Sequence, residues 1–109
     1  MTYRDPISAE DAHRLRDAVV GVEGIIGLSS GFFGEVALLF AGDRVPGLRI
    51  HTQDGTERLS IHLIADATSA VPLTERADAV RTIAGTFVDF PVDVVFDDFT
   101  SPADSTPEH

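Results

Sequence analysis

The chain has 109 residues, with 18 acidic side chains against eight basic ones, a net charge of −10, and no Cys, Trp, Lys or Asn. That length fits one domain able to bury a core without disulfides or a structural metal, and the missing Cys exclude a disulfide framework, a thiolate zinc site and a thiol nucleophile. The acidic balance excludes a general nucleic-acid binder and a charge-driven lipid binder, since both need a basic footprint.

Ser8, followed by Glu10 and Asp11, predicts a helix N-cap with acids in the first turn. Ala12, Leu15, Ala18, Val19 and Val22 recur at helical spacing and Gly21 and Gly24 close the pattern, so a helix is expected over 8–20 with Arg14, Arg16 and Asp17 on its outer face. Four glycines between positions 24 and 34 argue against a long helix there and leave a short strand near Ile25–Ser29, then a loop. Glu35–Phe40 is apolar and bounded by Gly34 and Gly42, a run short enough to be a strand or a single helical turn.

Leu48, Ile50 and Thr52 alternate with Arg49 and His51, and Asp54-Gly55 supplies a two-residue hairpin turn. The return strand, 57–65, alternates Leu59, Ile61 and Leu63 with Arg58, Ser60 and His62. With that turn, Ile50 faces Leu59, Leu48 faces Ile61 and His51 faces Arg58, giving one apolar and one mixed face. Thr74 is the expected N-cap of a second helix, with Glu75 in its first turn. Ala77, Val80, Ile83, Ala84 and Phe87 form its stripe, Arg76, Asp78 and Arg81 lie outside it, and Pro91 ends it. In the final strand Val92, Val94 and Phe96 alternate with Asp93, Val95 and Asp97, and the unit from 57 to 98 reads as a crossover, right-handed if its strands are parallel.

These elements predict a two-layer α/β (α+β) sandwich: a small mixed sheet of about four strands with two helices on one face, in the order α-β-(insertion)-β-β-α-β. Residues 1–99 form one domain and 100–109, small, polar and interrupted by Pro, are expected to be a disordered acidic tail. Residues 82–109 hold six acids and no Arg or Lys, so that stretch carries −6 of the net charge. No apolar run approaches the roughly 18 residues of a membrane span and Met1–Pro6 lacks a signal-peptide apolar region. A cytoplasmic domain is therefore expected.

The search for chemistry finds no catalytic set, no metal set and no cofactor motif. His51 and His62 share the polar face of the hairpin, but the register separates them by roughly 13 Å, too far for one metal. They read as solvated strand histidines, with His13 beside a helix stripe and His109 in the tail. Ser29-Ser30-Gly31 has no His or Asp at a diagnostic spacing, and Gly31–Gly34 has neither a nucleotide-binding pattern nor a Lys to meet a phosphate. Asp93, Asp97 and Asp98 lack a calcium-loop pattern and read as solvated. One stretch calls for a functional reading. Phe32, Phe33, Val36, Leu38, Leu39 and Phe40 crowd nine positions around a lone Glu35, as core or as an exposed apolar patch for a partner or for self-association.

Several stretches, in this order, resemble the alkaline shock proteins of Gram-positive bacteria, also called the envelope stress response family. They are Val20-Gly21-Val22-Glu23-Gly24-Ile25 as a helix exit, the Gly- and Leu-rich run 31–42, and Val45-Pro46-Gly47-Leu48-Arg49-Ile50 with Asp54-Gly55 as a central hairpin. Val71-Pro72-Leu73 opening a helix, and Pro91–Phe99 as a closing strand, complete the pattern over about 7–99. The chain departs from it where the family has a Tyr-Gly pair, here replaced by residues 65–70, and in lacking Lys-rich ends. The resemblance implies a non-enzymatic envelope or alkaline stress protein acting through protein–protein interaction or self-association. It implies a protein partner, membrane-anchored for some members, and a possible homo-oligomer; from the charge, hydropathy and motifs no nucleic acid, membrane span or cofactor is expected. It transfers no catalytic residue. The alternatives are a small ligand-binding regulatory module, and a small Asp/His-dependent hydrolase with a pocket between sheet and insertion.

Overall fold

The computed structural model describes residues 6–31 and 33–101. Ser8 caps α1 (Ala9–Val20) as expected, its hydroxyl accepting the Asp11 N–H at 3.1 Å. Ala12, Leu15 and Val19 form its buried stripe. The chain then makes β1 (Ile25–Leu28), a loop, and the hairpin of β2 (Ala37–Phe40) and β3 (Asp43–Pro46), where the insertion was expected. Strand β3 has no counterpart in the sequence reading, which took Gly42 only as a boundary. Ala41-Gly42 is instead the hairpin turn between Phe40 and Asp43.

β4 (Leu48–Gln53) and β5 (Thr56–Asp66) pair through Asp54-Gly55 in the expected register, with Leu48 opposite Ile61, Ile50 opposite Leu59 and His51 opposite Arg58. Helix α2 (Leu73–Ala84) follows, then β6 (Val92–Thr100), parallel to β5. One edge of β5 is shared by β4 and β1, both antiparallel to it, and β6 runs along the other edge, so the four-stranded sheet is mixed. The two-stranded β2–β3 sheet stands apart from it. Where β4 and β1 meet on β5, Gly47 adopts φ +92 and a Cβ there would lie 2.4 Å from the Leu28 Cβ. Only glycine fits that junction.

Leu59, Ile61, Leu63 and Ala65, the odd-numbered face of β5, are fully buried and meet Leu15 and Val19 of α1, Val80 and Ala84 of α2, and Val45 of the hairpin. One core thus lies between the helices and one face of the sheet, giving the predicted α+β sandwich.

Three boundaries differ from expectation. Pro72, not Thr74, stands at the N-cap of α2, because a proline just ahead of a helix needs no N–H partner. The helix stops at Ala84 with Gly85 as C-cap, short of Phe87 and Pro91. Thr100, expected in the tail, closes β6 and its carbonyl accepts the Ala67 N–H. The rest of the expected tail, 102–109, lies outside the described residues.

Arg76 departs most from expectation. Its position outside the apolar stripe predicted a solvated side chain, yet it is 5% exposed. Its Nε donates to the Val71 carbonyl at 2.8 Å, Nη1 to those of Gly24 and Asp66 at 3.1 Å each, and Nη2 to that of Ser69 at 3.3 Å. The guanidinium fork ties the turn before β1 to the β5–α2 loop, a geometry an ammonium cannot reproduce.

Candidate functional site

The face of the sheet away from the helices is polar. Alternation along β5 places Arg58, Ser60, His62 and Ile64 there, flanked by Arg49 and His51 of β4 and by Asp93 and Val95 of β6. Arg58 grips Asp93 with two hydrogen bonds, Nε to Oδ2 at 2.9 Å and Nη2 to Oδ1 at 2.7 Å. That grip holds the Asp93 carboxyl below the usual carboxylate range and raises the Arg58 guanidinium further.

A β-bulge between Phe96 and Asp98 adds Asp97 as an extra residue in β6. The Asp97 carboxylate meets His62, with Nδ1 and Oδ2 2.9 Å apart. The side chains are 19% and 26% exposed; His62 is half-buried, which corrects the expectation of a solvated strand histidine, while Asp97 remains an exposed residue, as expected, with its carboxylate paired. Beside the pair, the loop between β1 and β2 overhangs the sheet and leaves a cleft of about 410 Å³ lined by Ser29, Glu35, His62, Asp97 and Asp98 among others. Ser29 is set opposite His62 by its N–H bond to the His62 carbonyl, but its hydroxyl accepts the Gly31 N–H at 3.2 Å. No hydrogen bond joins Ser29 Oγ to the imidazole among the described residues, so a base and its orienting carboxylate are present without a bonded nucleophile. Among the described residues no three His, Asp or Glu side chains converge to hold a metal.

The overhanging loop carries the segment singled out in the sequence. Glu35 folds back so that its carboxylate accepts the Phe33 N–H at 3.0 Å, and the Val36 N–H bonds the Ser30 carbonyl. Val36, 3% exposed, belongs to the interior and drops out of any accessible patch. Leu38 and Phe40 point inward with Val45 and pack partly buried on the core. Phe33 and Leu39 point the other way, 93% and 75% exposed. Arg44, opposite Leu39 in the hairpin, donates to the Gly34 carbonyl and so joins Leu39 to the Phe33 loop. Phe32 lies outside the described residues.

At the hairpin tip Asp43 meets His13 of α1, with 2.9 Å between Nε2 and Oδ2. The His13 hydrogen bond and then the Arg44 N–H lower the Asp43 carboxyl from its ordinary value. The two histidine–carboxylate pairs and the buried Arg76 are the features that sequence reasoning missed. Cross-strand pairing alone could not have flagged His62, because Val95 stands opposite it and Asp97 reaches it from two positions further along β6.

No family model, curated protein or solved structure matches this chain. No described helix is long and apolar enough to cross a membrane.

Proposed function

We propose that the chain is a non-enzymatic interaction protein of the envelope or alkaline stress type that its sequence pattern resembles, binding a protein partner through Phe33 and Leu39. One observation carries this reading: two large apolar side chains stand almost fully in solvent on one insertion while their neighbours Val36, Leu38 and Phe40 are drawn into the fold. Exposing such side chains does nothing for the monomer, whereas burial at an interface returns about 25 cal/mol for each Å² covered. In this proposal the protein acts in the cytoplasm, reaches the membrane through its partner, and self-associates on the same insertion.

Affinity purification from membrane and cytosolic fractions tests it, comparing the wild type with Phe33→Ser/Leu39→Ser. A partner captured by the wild type and lost from an equally stable double variant supports the proposal; unchanged capture refutes it. Sedimentation velocity on both proteins tests the self-association.

The cleft favours a second reading, a ligand-binding regulatory module, because His62 is held by Asp97 on the wall of a space large enough for a small molecule. Amide shifts on adding a small-molecule library test it. Shifts converging on Ser29, His62 and Asp98 support a ligand there, and their absence counts against one. A hydrolase in the same cleft would in addition need Ser29 to turn onto His62.

A further inference from the structure

We propose that the outer edge of β6 is a second docking surface, one that takes an extended basic segment of another protein as an added parallel or antiparallel strand. β6 pairs only with β5, so its far edge has no strand beside it among the described residues. The Leu59 N–H bonds the Pro91 carbonyl in the register that sets Leu59 against Val92. Alternate residues of a strand turn both backbone groups the same way. Asp93 and Val95 therefore bond inward to β5, and Val92, Val94 and Phe96 present their N–H and C=O groups outward. Pro91, which has no N–H, precedes this stretch, and the bulge at Asp97 ends it.

The side chains along the edge fix the chemistry of the occupant. On the helix side Val92, Val94 and Phe96 are only partly buried, and Phe99, stacked on Phe96 with centroids 6.1 Å apart, is half exposed. An added strand with apolar residues on that side would complete their burial. On the opposite side stand Asp93, Asp97 and then Asp98, within a stretch from 82 onward that has six acids and no Lys or Arg. Arg58 and His62 answer the first two from β5, the inner side, Arg81 of α2 also acts on Asp93, and Asp98, which has no ion pair among the described residues, leaves the outer approach acidic. That charge disfavours a second copy of β6: in antiparallel pairing about Val94, Asp93 would face Val95 of the other copy and lie diagonal to its Asp93 on the same polar side. It favours a segment alternating Lys or Arg with aliphatic residues, read by main-chain bonds for affinity and by the two faces for specificity.

The test uses the full chain and three short synthetic peptides: alternating Lys and Val, the same peptide N-methylated at every residue so that neither edge can donate, and alternating Glu and Val. Fluorescence anisotropy is expected to show binding of the Lys–Val peptide, a loss of about tenfold or more on N-methylation, and no binding of the Glu–Val peptide. In amide exchange the Val92, Val94 and Phe96 N–H groups should become protected when the Lys–Val peptide is added. Val94→Pro removes one outward donor at a position where an edge strand tolerates proline, and should weaken binding more than Val94→Ala, which keeps the donor while also losing the Val94 packing. Equal binding of the N-methylated peptide would show charge attraction alone and overturn the proposal. So would protection confined to β4, or sedimentation of a β6-paired dimer that the peptide fails to dissociate. Phe33→Ser/Leu39→Ser should leave peptide binding intact, which separates this edge from the insertion.

Discussion

Replacing Arg76 is the sharpest test of how this fold is held. Four carbonyls share its guanidinium, but they do not depend on it equally. The Gly24 carbonyl also accepts the Asp66 N–H at 2.9 Å, and the Asp66 carbonyl also accepts the Ser69 N–H at 3.3 Å. The carbonyls of Ser69 and Val71 have Arg76 as their donor. Arg76→Met keeps much of the apolar stem and leaves those two without it. At ~1–3 kcal/mol for each unsatisfied group the loss should be about 2–6 kcal/mol, from a total that rarely exceeds ~15 kcal/mol. Exchanging a whole buried ion pair for apolar residues is often neutral, but here the carbonyls stay behind, so that relief is absent. Arg76→Lys retains charge without the fork and should fall between wild type and Met. Urea unfolding followed by circular dichroism measures the difference. A Met variant within about 0.5 kcal/mol of wild type would refute the clamp, since that is the range of ordinary surface substitutions. A second check comes from Gly24, at φ +89, where a Cβ would lie 2.7 Å from the Arg76 Cδ. Gly24→Ala should therefore cost less in an Arg76→Ala background than in the wild type, a coupling that a double-mutant cycle reads directly.

Three further outcomes are expected. Gly47→Ala forces a side chain into Leu28 at a strained φ, so it should give little folded protein, and a well-dispersed amide spectrum with wild-type melting would contradict the junction described above. The Asp93 carboxyl is lowered by Arg58, so its contribution is fully present above the unfolded carboxylate value near ~3.9 and is lost as pH falls through the lowered folded value. Asp93→Asn should then shrink the drop in urea midpoint between neutral and strongly acidic solution, and equal drops in both proteins would deny the linkage. Phe33→Ser and Leu39→Ser should each change unfolding free energy by no more than about 0.5 kcal/mol, because side chains this exposed have little burial to lose.

The β4–β5 hairpin was legible in the sequence, whereas the equally local β2–β3 hairpin was not, because its turn is Ala41-Gly42 and each strand has only four residues. Asp54-Gly55 fixed the β4–β5 turn, and once the turn is fixed a period of two determines which residue faces which. The apolar stripe of α1 and its Ser8 cap were equally readable, being local chemistry. The other features that stayed hidden depend on contacts distant in sequence. Arg76 looks like a surface residue until the Gly24 turn, 52 positions away, is brought beneath it. His62 looks solvated until β6 brings Asp97, 35 positions on, against it. The apolar segment was readable as a composition and not as a surface. Whether a given residue of a short strand points inward follows from where the hairpin docks, and that docking buries Val36 and turns Leu39 out.

The same docking bears on how the acidic charge should be weighed. A net charge of −10 spread evenly would repel acidic partners from every side. Here the Phe33–Leu39 surface sits beside Arg44, which donates to Gly34 between them, whereas β6 lies in the stretch from 82 onward that holds six acids and no Lys or Arg. An apolar partner at the insertion therefore meets one cation, whereas any chain approaching the outer edge of β6 meets carboxylates with no Lys or Arg on that strand. Raising the salt concentration screens charges farther apart than a Debye length of about 8 Å at physiological ionic strength. It should weaken binding at β6 while leaving burial of Phe33 and Leu39 nearly untouched. A partner whose capture falls steeply with salt and survives Phe33→Ser/Leu39→Ser would then be assigned to the strand edge, and one with the opposite behaviour to the insertion.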